Sequence, residues 1–133
     1  MGTRADFYIG RGENAEWLGS IAWDGYPEGI DIDVLRSTSP VTFKANLERF
    51  FSTRDDVTLP ERGWPWPWED SRTTDYAYAL DDGKVWASCF GREWFDPQDR
   101  EAAHGGGHRV AVFPDMSARM NMRRDIGSGA IFL

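Results

Sequence analysis

The segment Gly63-Trp64-Pro65-Trp66-Pro67-Trp68 constrains this chain more than any other, because it places three of seven tryptophans in six residues and stiffens them with two prolines. Proline fixes its own φ and drives the preceding residue toward β or polyproline II geometry. Trp64 and Trp66 each precede a proline, so the segment is not expected in a helix. In such a rod the three indoles point in different directions, and one flat wall cannot bury them all. The flanking stretch, Arg54 to Thr73, shows no regular pattern. Loops of that length in compact domains are usually functional or disordered, and the density of aromatics argues for order. The rod is therefore expected to lie as an ordered strap over the body of the protein, with some rings left for another molecule.

At 133 residues the chain is expected to form a single domain over 1–133. A chain of this size buries roughly two thirds of its unfolded surface and needs no disulfide or metal to fold. Hydrophobic residues make up 41% and aromatics 14%, enough to build a core despite many charges. Net charge is −7, with −9 in residues 1–103 and +2 in residues 104–133. An acidic body repels phosphate, which disfavours nucleic acid as a partner. Cys89 is the only cysteine, so an internal disulfide is excluded. It sits in the apolar run Val85–Phe90, the setting of an inert, buried thiol. No apolar run approaches a membrane span, and no signal peptide is expected at the start, so a cytoplasmic location and no membrane partner are expected.

Secondary structure follows from periodicity. Ala5–Gly10 reads as a strand with Phe7 and Ile9 on one face and Tyr8 on the other. Trp17–Trp23 reads as a second strand, broken near Gly19. Ile30–Leu35 fits either a short helix or an irregular edge. Val41–Thr53 is the main helix: Ser39 supplies the cap, Pro40 suits the first position, and Phe43, Leu47, Phe50 and Phe51 form one apolar stripe. Thr74–Leu80 and Lys84–Phe90 form a hairpin around Asp81-Asp82-Gly83. A short helix near Phe95–Ala103, a strand over His108–Phe113 and a helical stretch over Met116–Arg124 complete the expectation. Strands and helix are segregated, which makes the class α+β: an antiparallel sheet of four to five strands with the one main helix, about 41–53, on one face.

No catalytic motif is present. Gly10-Arg11-Gly12 lacks the further glycine or lysine of a nucleotide loop, and neither Ser88 nor Ser128 lies in a nucleophile elbow. No cofactor is implied. His104 and His108 are the weak metal candidates, with Cys89, Asp99 or Glu101 as a third ligand. Three glycines separate them, so they do not share a helical face. The paired acids Asp31/Asp33, Asp55/Asp56 and Asp81/Asp82 have no completing partner in sequence, and the last pair belongs to the hairpin turn.

Two stretches carry a resemblance. Arg4-Ala5-Asp6-Phe7-Tyr8-Ile9-Gly10-Arg11-Gly12 through Glu16–Pro27, and Gly63–Trp68 with Ser71–Tyr78, resemble a small protein family carried by bacteriophages and prophages. That family brings no assigned activity. It implies a single-domain accessory protein acting in an infected bacterial cell, of the kind that inhibits host defence by binding. The expected function is thus non-enzymatic protein–protein binding to a host or phage partner. Trp64, Trp66, Trp68 and Tyr76 are the expected contacts, and Glu69, Asp70 and Asp75 the charged rim, because tryptophan and tyrosine are enriched at binding hot spots. The alternatives are a small metal- or ligand-dependent enzyme using His104 and His108, and a homo-oligomeric assembly protein.

Overall fold

A computed structural model describes residues 2–99. The expected strand at His108–Phe113, the helical stretch at Met116–Arg124 and both histidines lie outside the described residues.

Alternation in the first strand, β1 (Ala5–Ile9), divides the whole sheet into two unlike faces. Ala5, Phe7 and Ile9 point one way, and Asp6 and Tyr8 the other. β1 pairs antiparallel with β2 (Glu16–Ile21), and β2 with the two-residue β3 (Val57–Thr58). On its other side β1 pairs with β4 (Tyr76–Asp81), which forms a hairpin with β5 (Lys84–Cys89). The order β3-β2-β1-β4-β5 makes five strands. The sheet is mostly antiparallel, as expected, but its central pair, β1 with β4, is parallel. The cause is the crossover between β2 and β4, long enough to return the chain to the end where β1 begins. Alternation alone does not distinguish the two directions.

That crossover holds α1 (Ile32–Leu35) and α2 (Pro40–Ser52). Ser39 caps α2 by accepting the Thr42 amide, and Pro40 opens its first turn. Phe43, Leu47, Phe50 and Phe51 are all buried against the sheet. Phe7 is the hub: its ring stands edge-on to Phe51 at 5.6 Å and to Phe50 at 6.4 Å, and stacks on Tyr78 at 5.3 Å. Each such burial contributes about 1.5–3 kcal/mol, far more than the helix's intrinsic propensity. Tyr78 places its hydroxyl on the Gly25 carbonyl at 2.6 Å, so its one polar atom is satisfied in the core.

The break expected at Gly19 is a bulge. Phe7 faces Gly19 and Tyr8 faces Trp17, which leaves Leu18 as the extra residue of β2. Gly19 has φ of +148°, and a Cβ there would lie 2.9 Å from Phe51 Cε2. The residues around Phe95 differ from the expected helix: Phe95 bridges to Ala87 through two hydrogen bonds of 2.8 Å, and Asp96–Asp99 is a turn.

The loop after β2 is locked by Asp56, whose side chain has no exposed area. It accepts the Ala22 and Trp23 amides at 2.9 and 3.1 Å and a two-pronged contact from Arg54 at 2.7 and 2.8 Å. Burial opposes ionisation of this carboxyl, but the Arg54 and amide hydrogen bonds together outweigh it and hold its pKa below the usual value.

Two outcomes follow. Gly19→Ala is expected to lose about 1–3 kcal/mol of unfolding free energy in urea, because the methyl meets both a strained φ and the Phe51 ring. Asp56 has a depressed folded-state pKa, so its stabilisation is complete above the unfolded carboxylate value of about 4 and is lost as pH falls through the folded value. The urea midpoint should fall below about pH 4, and Asp56→Asn should flatten that acid limb.

Candidate functional site

The face of the sheet opposite α2 has a polar centre and an aromatic cover. Asp6 lies at that centre and is 0% exposed. Its Oδ1 accepts the Ser20 hydroxyl at 2.6 Å and the Trp66 indole N–H at 2.7 Å, and its Oδ2 accepts the Ser71 hydroxyl at 2.6 Å. The donors reach further outward. Trp17 donates its indole N–H to Ser20 at 3.0 Å. The Tyr8 hydroxyl meets Ser71 Oγ at 2.7 Å, and since the Ser71 proton is committed to Asp6, Tyr8 is the donor. Burial pushes the Tyr8 pKa above its usual value, so the phenol keeps its proton.

Residues 63–72 form the expected strap and cross this face. Trp64 packs edge-on against Trp17 at 5.1 Å and donates its N–H to the Trp68 carbonyl. Trp66 and Trp68 lie nearly parallel, 5.6 Å apart with 17° between their planes. Trp68 donates to Thr74 Oγ1 at 2.7 Å. The Arg4 guanidinium sits 5.2 Å from the Trp68 ring and 5.9 Å from the Trp66 ring, and is held there by Asp75. Asp75 also accepts the Arg4 amide, which joins the strap's exit to the start of β1. Farther along the same face Trp86 lies beneath Arg11 at 4.6 Å, and its N–H is bound by the Asp81 carbonyl.

Five of the seven tryptophans, at 17, 64, 66, 68 and 86, thus converge on one side of the sheet, and each is half-buried. Every one of their indole N–H groups is taken by an acceptor within the domain. What they show to solvent is carbon. Contacts made there are by stacking and apolar packing, with Arg4 and Arg11 as the adjacent charges.

Of the expected contact residues, Trp64, Trp66 and Trp68 lie together, and Asp75 joins them through Arg4. Asp70 folds back on Arg72, which binds it through Nε and Nη2 and holds its pKa below the usual value; Glu69 is exposed beside it. Tyr76 is elsewhere. It stacks on Tyr78 at 6.1 Å on the α2 face of the sheet. Trp17, Trp86, Asp6, Arg4 and Arg11 were not among the expected residues; the parity of Asp6 and Tyr8 within β1 was the signal for the first of these.

Burial raises the Cys89 thiol above its ordinary pKa, and the neighbouring Tyr76 is pushed up to about 12 by partial burial and by its closeness to Cys89. Among the described residues no group of three or more histidine, cysteine, aspartate or glutamate side chains is placed to hold a metal ion. A groove of about 770 Å³ runs beside α2, lined by Leu18, Lys44, Leu47, Phe51 and Leu59 among others, with charges of both signs. Among the described residues no helix is long and apolar enough to cross a membrane. No family model, curated protein or solved structure matches this chain.

Asp6→Ala should release the strap, because Ser20, Ser71 and Trp66 lose a shared acceptor. The expected cost is about 2–4 kcal/mol. Near-UV circular dichroism and a red shift in tryptophan emission report the loosened indoles.

Proposed function

We propose that this chain is a non-enzymatic binding protein that grips another protein, of host or phage origin, through its tryptophan-covered face. The observation that carries this reading is the state of the five indoles. Their N–H groups are bound within the domain, by Asp6 and Thr74 for Trp66 and Trp68 and by Ser20 and backbone carbonyls for the rest, and their carbon surfaces remain half open. A surface already fixed in its binding shape loses little side-chain entropy when a partner docks, which is why rigid aromatic residues dominate binding hot spots. The acidity of the chain, at net charge −7, favours a protein over a nucleic acid.

The biological setting rests on the family resemblance of Arg4–Pro27 and Gly63–Tyr78. On that reading the protein acts in the cytoplasm of an infected bacterium and blocks a defence system by occupying one of its components.

The test is a pull-down from host lysate with the wild-type chain, followed by titration of the purified partner. Trp68→Ala removes exposed ring surface and one bond to Thr74. It is expected to weaken binding by about 10-fold or more while the domain stays folded at the assay temperature. Phage plating on a host carrying the defence system should fall in parallel. Recovery of no specific protein, together with unchanged plating by Trp68→Ala, would sink the reading.

A further inference from the structure

The two edges of the sheet are finished differently. Along β5 the outer edge is already occupied, because Phe95 gives its amide to the Ala87 carbonyl and accepts the Ala87 amide, both at 2.8 Å. The opposite edge is β3, Val57–Thr58, which is paired to β2. Residues directly opposite in an antiparallel pair alternate between exchanging both backbone bonds and exchanging none. One of Val57 and Thr58 therefore turns its amide and carbonyl outward, and no hydrogen bond from another described residue meets them. An uncovered edge of this kind is a template for one more strand.

Beside that edge, on the α2 side of the sheet, runs the groove of about 770 Å³. Clefts that hold ligands are of this size, about 300–1,000 Å³. One wall is a flank of α2, where Leu47 and Phe51 show the margin of the buried stripe. The other is the segment around β3, where Val57 is half-buried and Leu59 is 40% exposed. Leu18 joins them through the bulge: it is the residue of β2 with no opposite number in β1, and bulges re-aim a side chain. The rim is acidic. Glu48, Asp55 and Glu61 are all exposed, and none makes a hydrogen bond or salt bridge to another described residue. Of the two cations there, Lys44 is held by Glu16 at 3.6 Å, which leaves Arg62 against three carboxylates.

We propose that this edge and groove form a second binding site, which takes an extended peptide segment of a protein partner as an added strand at β3. The unpaired backbone selects an extended chain, because only a strand presents amides and carbonyls in the matching direction. Side chains two positions apart on such a strand share one side, so those turned toward α2 enter the groove together. Its floor fits an apolar side chain, and its unbonded acids fit lysine or arginine two positions away. Phosphate-bearing partners are repelled by the same acids. Because β3 has two residues, few backbone bonds are on offer, and the side chains carry the selectivity. The site lies on the α2 side, away from the tryptophans, and does not depend on the function proposed for them.

The probe is a seven-residue peptide with leucine at its centre, arginine two positions to either side and threonine elsewhere. It is titrated into the isotope-labelled full chain and followed by NMR. Shifts are expected at the amides of β3, Leu59 and the second half of α2, while the indole N–H signals of residues 17, 64, 66, 68 and 86 stay in place. In the complex the outward amide of Val57 or Thr58 should exchange with deuterium about 10-fold more slowly. A second peptide has both arginines moved next to the leucine. Its composition is the same, but the charges now lie on the other side of the strand, and it should bind about 10-fold more weakly. Glu48→Gln combined with Glu61→Gln changes two exposed, unbonded side chains, so the fold is kept, and the first peptide should bind this chain about 10-fold more weakly. The proposal is overturned by no shifts up to about 1 mM peptide, by shifts on the indole signals, by unchanged amide exchange at β3, or by binding within about twofold for the two peptides or the two chains. Trp68→Ala should bind the first peptide as the wild type does, so loss of the tryptophan face and loss of this groove are read separately.

Discussion

The fold of this protein turns on one carboxylate. Asp6 is buried in the central strand, and three neutral donors, Ser20, Trp66 and Ser71, take the place of water around it. A carboxyl group in such a place is tolerated only when its oxygens are hydrogen-bonded. Two of the three donors belong to the strap, so solvating that single group also decides where the strap lies. The constraint passes outward from there. Trp66 is oriented by its N–H, Trp68 lies parallel to it, and Arg4 covers both. Lifting the strap would take two of its three donors from this carboxyl group, whose neighbour in the sheet is the small, apolar Ala77.

The two sides of the sheet solve different problems with the same strands. Toward α2, Phe7, Tyr78, Phe50 and Phe51 form a ring cluster whose polar content is almost nil. On the reverse side hydroxyls and a carboxylate occupy the middle, and indoles roof them over. Aromatic side chains suit both, for opposite reasons. In the core they supply area, whereas on the reverse side they supply area together with an N–H that reaches a buried acceptor. The strap lacks regular secondary structure, yet it has side-chain hydrogen bonds where a helix or strand would have backbone ones.

Local pattern carried much of the architecture. The apolar stripe of α2, its Ser39 cap, the Asp82-Gly83 hairpin and the irregularity at Gly19 are each written within a few neighbouring residues, and each stands where the pattern put it. What depends on distant pairing was not legible. The parallel direction of β1 and β4 leaves no trace in alternation. Trp17 and Trp86 join the strap only because strand register brings them beside Tyr8 and Ala79. Tyr76 was grouped with the tryptophans because it is near them in sequence, yet its alternation with Ala77 already tied it to Tyr78, and Tyr78 faces the core. The tight turn after β5, in which Phe90 takes a left-handed φ of +53°, had no sequence signature, since phenylalanine is a rare residue in that conformation. The histidine pair lies beyond the described residues.

The parallel pair at the heart of the sheet also bears on how the chain is made. β1 begins at residue 5, but its second neighbour, β4, ends at residue 81, and the bonds from Asp6 to the strap span 60 and 65 positions. Contacts so remote in sequence form slowly, because the intervening chain must first be closed into a loop. During synthesis the first strand therefore waits with one flank bare until β4 has been made. Such edges recruit other strands. The strap that separates β1 from β4 in sequence thus also sets how long that edge stays open.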